Sequence, residues 1–252
     1  MWLLKTSKKM NGSKLAWRGF GDSEVGPLHN SLNLPNQDAY HLKLENDPVL
    51  IAVSDGLGSK PLSHLGAQAV NRAVIKLAQY SVNEVIFEPI RLIEKFHSYW
   101  LEELCDVDID QCRCTALFAI VFGEQVFIAQ LGDGDCCIIS SNPDESGQQV
   151  SFLADKDDDL FSNQTHSLGN KLDIGQWQYC FVPTVELEAC FLATDGIADD
   201  LALAHRTRFY VELLNQYRQF TDDEVRADVR NWISQWPVAG HSDDKTIVAL
   251  FR

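Results

Sequence analysis

Four apolar, strand-like runs in this chain each carry an aspartate at one end. The runs and their acids are VLIAVSDG (49–56) with Asp55, FIAQLGDGD (127–135) with Asp133, CFLATDG (190–196) with Asp195 and SDDKTIVALF (242–251) with Asp243. A single Asp-Gly pair is ordinary turn chemistry with a solvated acid. Four carboxylates that converge on one sheet edge would repel one another unless hard cations such as Mg²⁺ or Mn²⁺ lay between them. The pattern therefore predicts a β-rich core with an acidic, cation-binding edge.

The spacing of the apolar residues predicts antiparallel strands combined with paired helices. Two apolar runs in 114–131 are joined by GEQ (123–125), which predicts a hairpin, and a third strand follows GDGD. In the helix predicted at 84–104, the second along the chain, Ile90 and Ile93 are expected on the buried face. Helix pairs between antiparallel strands favour an α+β fold over a doubly wound parallel sheet. Four segments show helical spacing: 62–77, 84–104, about 197–218 and 222–235.

Composition and linker content exclude several classes of protein. The chain has 252 residues, 45% of them hydrophobic, and its net charge of −15 disfavours nucleic acid as a partner. No apolar stretch has the length of a signal-peptide core or a membrane span, so a cytoplasmic protein without membrane contact is expected. No spacer or repeat divides the sequence, which predicts a single domain over residues 1–252.

The seven cysteines indicate reduced thiols rather than a disulfide framework. Their number is odd, and several lie in apolar, strand-like segments. Cys112 and Cys114 have the spacing of half a zinc site, but no second pair or histidine cluster completes it. The carboxylates at the strand ends therefore favour Mg²⁺ or Mn²⁺ over zinc.

Six short motifs occur in order along the chain: NQDAY (36–40), VSDGLG (53–58), CTALFAI (114–120), LGDGD (131–135), ATDGIADD (193–200) and SDDKTIVAL (242–250). Together they resemble the metal-dependent protein phosphatases of the type 2C (PPM) family in its bacterial form, from about residue 16 to the C-terminus. The resemblance implies a four-layer α-β-β-α sandwich of two mainly antiparallel sheets flanked by helices, with a metal site at one edge. It also implies a substrate-selecting flap at about 153–177, a segment that is equally compatible with a solvated loop.

The resemblance further implies which residues bind metal and take part in catalysis. Asp55 would bridge two Mn²⁺ or Mg²⁺ ions, Asp38 would bind metal directly or through water, and Asp133 with Asp195 would form a weaker third site. Two such cations lower the pKa of a shared water towards about 7 and clamp a phosphoryl oxygen, so no protein nucleophile is needed. Asp38, Asp55 and His29 are the expected catalytic residues. The implied metal ligands are Asp38, Asp55, the Gly56 carbonyl, Asp133, Asp195 and Asp243.

The expected function is hydrolysis of phosphoserine and phosphothreonine in a protein substrate, opposed by a cognate Ser/Thr kinase. Two departures from the family pattern concern the metal and the substrate. Gln37 stands where the family often has an acid, and an amide is a weaker ligand for the second metal. Asn33 stands where an Arg would hold the substrate phosphate. His29 is the first candidate to replace that Arg, and Arg18 and Lys60 are further candidates.

Other departures and motifs leave alternatives open. Leu57 follows the Asp-Gly pair, so no histidine there can protonate a leaving group, and Asp244 replaces the Asn often found after the last metal ligand. The changed acid and the missing Arg leave open a pseudophosphatase that binds a phosphoprotein or another partner without turnover. DGLGSK (55–60) lacks both the Walker pattern and the third glycine of the dinucleotide fingerprint. DGD (133–135) resembles the nucleophile motif of haloacid-dehalogenase-type phosphatases, but the predicted hairpin argues against their parallel sheet.

Overall fold

A computed structural model describes residues 16–81, 88–141, 147–154 and 166–252. Within these ranges the chain forms two five-stranded sheets and six α-helices. The strands are β1 (Arg18–Glu24), β2 (Ala39–Lys43), β3 (Leu50–Ser54), β4 (Ala116–Phe122), β5 (Gln125–Leu131), β6 (Asp135–Ser141), β7 (Gln148–Phe152), β8 (Gln178–Pro183), β9 (Leu187–Ala193) and β10 (Lys245–Phe251). The helices are α1 (Pro27–Leu32), α2 (Ser63–Ser81), α3 (Pro89–Glu103), α4 (Asp195–Ala198), α5 (Leu203–Tyr217) and α6 (Asp222–Ser234).

Neighbouring strands are antiparallel in both sheets. The first sheet has the order β1-β10-β9-β6-β7 and the second has the order β2-β3-β4-β5-β8. The predicted hairpin is β4–β5, and it turns at Gly123, whose φ of +60° suits a residue without a Cβ. The predicted third strand is β6, which joins the other sheet and pairs with β9.

Alternation along the strands separates the two faces of each sheet. In β10, Val248 and Leu250 lie in the apolar layer between the sheets. Ile247, Ala249 and Phe251 lie on the opposite face, in the cluster that also contains residues of α5 and α6. Because side chains alternate with a period of two, one strand supplies both layers, and this requires an apolar residue at almost every position.

The helices cover the outer faces of the sheets. Val70 of α2 and Phe96 of α3 pack in one cluster with Phe118 of β4. Tyr210 of α5 and Val225 of α6 pack in a second cluster with residues of β9 and β10. The order helix pair, sheet, sheet, helix pair confirms the predicted four-layer α+β sandwich. No helix in the described part of the chain is both long and apolar enough to cross a membrane.

The second predicted helix is confirmed as α3, but one residue predicted to be buried, Ile90, is exposed. The helix begins at Pro89, and proline is well suited to a first helical position because its missing N–H has no intrahelical partner there. The part of the prediction at 82–87 lies outside the described residues. Leu92, Ile93 and Phe96 are buried, whereas Ile90 is 45% exposed because it lies to one side of this apolar stripe.

The predicted helix over 197–218 is divided in the structure. The four-residue helix α4 ends at Ala198, and α5 begins at Leu203 after a short connection. The last predicted helix, at 222–235, is α6, and Thr221 and Glu224 form a reciprocal capping box at its start.

The second half of the predicted flap packs on the body of the protein. Leu168 and Trp177 are buried, and the Leu168 N–H donates to the Cys114 carbonyl at 2.8 Å. The Gly169 carbonyl lies 2.8 Å from Nε2 of His97 on α3. Residues 155–165 lie outside the described residues, so the role of that part of the flap stays a prediction.

Candidate active site

Asp55 follows β3 directly and is fixed by the neighbouring strand. Its N–H donates to Thr115 Oγ1 at 2.9 Å, and its carbonyl accepts from the Thr115 N–H at 2.8 Å. The Gly56 N–H donates to the Gln37 carbonyl at 3.1 Å. A Cβ at position 56 would come within 2.8 Å of that carbonyl oxygen and of Ser63. Glycine is therefore required here, because the backbone after Asp55 closes tightly on the segment that precedes Asp38.

Asp38 lies immediately before β2, and one of its carboxylate oxygens is buried where no donor of the described residues reaches it. Its N–H donates to Asn36 Oδ1 at 2.9 Å, and the Thr194 hydroxyl donates to its Oδ2 at 2.8 Å. Among the described residues, no donor reaches the buried Oδ1. A buried acceptor without a partner costs free energy, and a cation would satisfy it. Asp38 therefore has the environment of a metal ligand.

Asp195 and Asp243 come from adjacent strands of the first sheet. Asp195 follows β9 and begins α4, and Asp243 precedes β10. Because β9 and β10 are antiparallel neighbours, the end of one and the start of the other lie at the same edge. Gly196 lies so close to the Asp244 carbonyl that a Cβ at position 196 would overlap it. This close approach holds the start of α4 against the segment that carries Asp243.

One cavity of about 240 Å³ is lined by residues from both sheets. Its walls include Asp55 and Gly56 from the second sheet and Asp195 and Asp243 from the first, and His29 of α1 also lines it. The cavity therefore brings together five of the seven predicted catalytic and metal-binding residues, whereas Asp38 and Asp133 are not among the described residues that line it.

Burial and mutual repulsion raise the pKa values of the clustered carboxyl groups. Burial raises the pKa of Asp38 from 3.8 to about 7. Burial and the charges of Asp133 and Asp243 raise the pKa of Asp195 from 3.8 to about 8. The pKa of Asp55 is raised well above its usual value by burial and by the charges of Asp195 and Asp38. Asp133 therefore acts on Asp195 electrostatically, and a divalent cation among these groups would favour their ionised forms.

In the described part of the chain, the clustered aspartates do not by themselves form a complete set of metal ligands. Within the described ranges, no three His, Cys, Asp or Glu side chains come together closely enough to hold a metal ion as they stand. Their chemistry fits Mg²⁺ or Mn²⁺, because hard cations prefer carboxylate oxygens. Cys112 and Cys114 are free and buried, and burial raises the pKa of the Cys114 thiol to about 12, which disfavours a zinc-binding thiolate.

His29 is the candidate phosphate-binding group that the structure places at the cavity. Its Nδ1 lies 2.9 Å from Asp244 Oδ2, and the residue is buried. Arg18 lies elsewhere, because its guanidinium binds Asp222 at 2.8 Å near α6. Lys60 is not among the described residues that line the cavity. Asn33 ends α1 with φ of +53°, a left-handed conformation that asparagine adopts more readily than arginine.

Lys245 is a site feature that sequence reasoning missed. It is 2% exposed, and its Nζ donates to the Asp243 carbonyl at 2.8 Å and lies 2.8 Å from His241 Nδ1. Burial lowers the pKa of this ammonium group. Its side chain brings positive charge to the acidic edge, next to the strand that carries Asp243. The available signal was the lysine that directly follows the two acids of SDDK, at the start of an otherwise apolar strand.

Comparisons with known proteins give a consistent result. A family model described as Protein phosphatase 2C matches residues 25–236. Serine/threonine-protein phosphatase 3 of Escherichia coli (strain K12) is 26% identical over 256 residues, which cover 94% of this chain and 98% of that protein. The catalytic domain of the serine threonine protein phosphatase PstP, in complex with two manganese ions, is similar with a TM-score of 0.62 and 15% identity, over 93% of this chain and 97% of that one.

A second solved structure, the Mycobacterium tuberculosis serine/threonine phosphatase PstP/Ppp, is similar with a TM-score of 0.63 and 16% identity. The match covers 94% of this chain and 99% of that one. At these identities the structural likeness establishes the fold, and the roles of individual residues are a separate question.

Proposed function

The chain belongs to the protein phosphatase 2C family, and we propose that it is a metal-dependent phosphoserine/phosphothreonine protein phosphatase. The observation that carries this proposal is the cavity at which Asp55 and Asp195, both with raised pKa values, meet Asp243 and His29. Carboxyl groups held together against their own repulsion lower the stability of the fold, and clusters of this kind are typical of functional sites. Two bound Mn²⁺ or Mg²⁺ ions, with a weaker third, would offset this repulsion.

The proposed ligands divide between the two sheets. Asp55 and the Gly56 carbonyl lie at the end of β3, and Asp195 and Asp243 belong to the edge formed by β9 and β10. We assign Asp55 as the residue that would bridge the two ions, and the charges of Asp195 and Asp38, which lie beside different sheets, both act on it. Asp38, whose buried Oδ1 has no donor within the described part of the chain, would bind an ion directly or through water. Asp133, whose charge acts on Asp195, would share the third site with it.

The protein's own groups would orient the substrate at this cavity. When bound, the two ions would lower the pKa of a water molecule and neutralise the transferred phosphoryl group. His29, in its imidazolium form with both ring nitrogens protonated, would donate a hydrogen bond to a phosphoryl oxygen in place of the missing Arg. Gln37 lines the same cavity, and its buried Oε1 has no donor among the described residues, so it would accept a hydrogen bond from water near the second ion.

The broader setting follows from the same proposal. A phosphorylated protein would be the substrate, a Ser/Thr kinase would oppose the enzyme, and the net charge of −15 disfavours nucleic acid. The apolar layer that joins the two sheets supports a single domain over residues 1–252. Cytoplasmic localisation stays a prediction from the sequence.

The test is hydrolysis of p-nitrophenyl phosphate and of a phosphothreonine peptide, with and without Mn²⁺ or Mg²⁺. We expect metal-dependent turnover that Asp55→Asn and Asp195→Asn each abolish. Glu212→Gln is the matched control, because this acid is on the exposed surface of α5 and forms a surface ion pair with Arg208. Equal activity in the Asp195→Asn and Glu212→Gln variants would overturn the proposed site.

The alternative is a pseudophosphatase that binds a phosphoprotein without turnover. Gln37 and Asn33, in place of an acid and an arginine, are the observations that favour it. Calorimetric titration with Mn²⁺ separates the two functions. Tight metal binding without turnover of either substrate would favour the pseudophosphatase, whereas turnover that follows the metal-binding curve would exclude it.

A further inference from the structure

Asp244 is a buried carboxylate that accepts three hydrogen bonds from one short segment of the chain. It is 1% exposed. Its Oδ1 accepts from the Gly26 N–H at 2.6 Å, and its Oδ2 accepts from the Gln37 N–H at 2.6 Å and from Nδ1 of His29 at 2.9 Å. The three donors bracket α1 and end one residue before Asp38. A single side chain at the start of β10 therefore fixes the whole segment from 26 to 37.

A carboxylate is required at this position because both of its oxygens face N–H donors. An ionised carboxylate only accepts hydrogen bonds, so all three donors are satisfied at once. An asparagine has one acceptor oxygen, and its NH₂ group would face either the Gly26 N–H or the Gln37 N–H. One or more buried donors would then lose its partner, which costs free energy.

The same contact determines which nitrogen of His29 is available at the cavity. Because Asp244 only accepts, the proton in their hydrogen bond belongs to Nδ1 of the imidazole. Nε2 is then the nitrogen left for other partners, and His29 lines the cavity together with Asp55 and Asp195. A carboxylate that accepts from Nδ1 fixes the orientation of the ring. Nε2 can then donate to a phosphoryl oxygen when the ring is the imidazolium, in which both nitrogens carry a proton.

We propose that Asp244 is a positioning residue of the phosphatase reaction, which orients His29 towards the substrate phosphoryl group and holds the segment that leads to Asp38. This inference rests on the proposed function. Asp244 acts through His29 and through the 26–37 segment, without contact with the reacting atoms. Its charge is part of this role, because only a carboxylate satisfies donors on both sides.

The first experiment measures the ring nitrogens of His29 by two-bond ¹H–¹⁵N NMR in the full-length protein with Mg²⁺. We expect Nδ1 of His29 to carry a proton in the parent protein and to change its signal in Asp244→Asn. Asp228→Asn is the matched control, because Asp228 also accepts two side-chain hydrogen bonds, from Tyr217 and Gln216, and belongs to α6. An unprotonated Nδ1 in the parent protein, or an unchanged signal in Asp244→Asn, would overturn the inference whatever the activity is.

The second experiment measures kcat and KM for p-nitrophenyl phosphate with Mn²⁺ in Asp244→Asn, in His29→Asn and in the double variant. Substitution of a residue that orients a site ligand costs about 10–100-fold in activity. We expect Asp244→Asn to lose at least about tenfold in kcat/KM, mainly through KM, and the double variant to be no worse than the poorer single variant. Losses that multiply in the double variant would show that Asp244 does not act through His29.

The two experiments separate this inference from the proposed function. An inactive parent protein would overturn the proposed function and, with it, a role of Asp244 in catalysis. An active parent protein with full activity in Asp244→Asn would leave the proposed function intact and overturn the positioning role. If Asp244→Asn does not fold, the NMR signal of His29 in the parent protein and the kinetics of His29→Asn decide. An unprotonated Nδ1 in the parent protein, or an unchanged KM in His29→Asn, would contradict the inference.

Discussion

Neighbouring acids repel Asp195, and removal of its charge should therefore have opposite effects on stability without and with metal. Burial and the charges of Asp133 and Asp243 raise its pKa to about 8. In the metal-free protein, Asp195→Asn removes this repulsion and should raise the melting temperature. In Mn²⁺, the same change should remove most of the metal-induced stabilisation and lower activity by more than about 100-fold, since even residues that only orient ligands cost 10–100-fold.

Thermal unfolding with and without Mn²⁺ measures both effects in one set of samples. Glu212→Gln should show the stability and the metal response of the parent protein, because its carboxylate is exposed on α5. An Asp195→Asn variant that is still stabilised by Mn²⁺ to the same extent would contradict a metal ligand at this position.

Asp135 and Arg206 form a buried ion pair, and neither is among the described residues that line the site cavity. Arg206 contacts Asp135 at 2.6 Å, the Tyr210 hydroxyl donates to the same carboxylate at 2.9 Å, and the guanidinium lies 3.6 Å from the centre of the Phe152 ring. Removal of one partner from a buried pair leaves an uncompensated charge and costs about 3–5 kcal/mol. We expect Arg206→Met to lower the free energy of unfolding by about 3 kcal/mol.

The matched control is Arg208→Met, two residues further along the same helix. Arg208 is exposed and pairs with Glu212 one turn away, so its loss should cost less than about 1 kcal/mol. Urea titrations of both variants give the comparison. Equal destabilisation by the two substitutions would contradict the assignment of a buried, charge-compensated pair.

The two acids of GDGD show how far residue-level prediction from the sequence reaches. Both Asp133 and Asp135 follow an apolar strand, and nothing local distinguishes them. In the structure, Asp133 acts on Asp195, whereas Asp135 begins β6 and pairs with Arg206 from α5. The sequence indicated that acids gather at strand ends. It did not indicate which acid meets a cation supplied by a helix 71 residues away.

At the scale of elements, the strands predicted from the sequence are those in the middle of the sheets. β3, β4, β5, β6, β9 and β10 are apolar runs, and each has a neighbouring strand on both sides. The strands that sequence reasoning missed are β1, β2, β7 and β8, and these are the four edge strands. Edge strands have one unpaired side and tolerate polar residues, as in QQVSF of β7, so their pattern carries less signal.

Close packing of α2 on the loop before β4 leads to a prediction at this scale. A Cβ at Gly66 would overlap the Cys112 carbonyl, and the Gly66 carbonyl accepts from Trp100 Nε1 at 3.1 Å. Helix propensity alone predicts that Gly66→Ala stabilises the protein by about 0.5–1 kcal/mol. We expect the opposite sign, a loss of about 1–3 kcal/mol, because overpacking forces α2 away from that loop.

Gln68→Ala, at an exposed position of the same helix, is the control and should change stability by less than about 0.5 kcal/mol. Guanidinium titration of both variants measures the difference. A stabilised Gly66→Ala protein would show that α2 can move away from the Cys112 carbonyl without loss. Helix propensity would then decide the outcome at this position.

At the scale of the whole molecule, the acidic edge joins the two sheets. Asp38 and Asp55 lie next to the ends of strands of the second sheet, and Asp195 and Asp243 lie near the ends of strands of the first. Repulsion across this junction opposes the apolar layer that holds the sheets together, whereas bound cations would reinforce it. The free energy of unfolding of the metal-free protein should therefore fall as the pH rises, whereas that of the metal-bound protein should not.

The sign of this dependence follows from the raised pKa values. Asp38 and Asp195 have pKa values of about 7 and about 8 in the folded chain, against 3.8 ordinarily, so between about pH 4 and pH 8 the folded state binds more protons than the unfolded state. Their contribution to stability is fully present below pH 4 and is lost as the pH rises through 7 and 8. We expect the metal-free protein to lose on the order of 1 kcal/mol or more across this range.

Subtraction of the Asp195→Asn curve from the parent curve isolates the part due to Asp195 and its interactions with the neighbouring acids, because groups elsewhere titrate alike in both proteins. Urea titrations of the chelator-treated protein at pH 5, 6, 7 and 8 provide the two curves. Saturating Mn²⁺ should abolish the downward slope, since a cation keeps these carboxylates ionised and paired. A difference curve that is flat without metal would mean that the carboxyl groups do not repel one another in the folded protein, and the main physical argument for a cation site would fail.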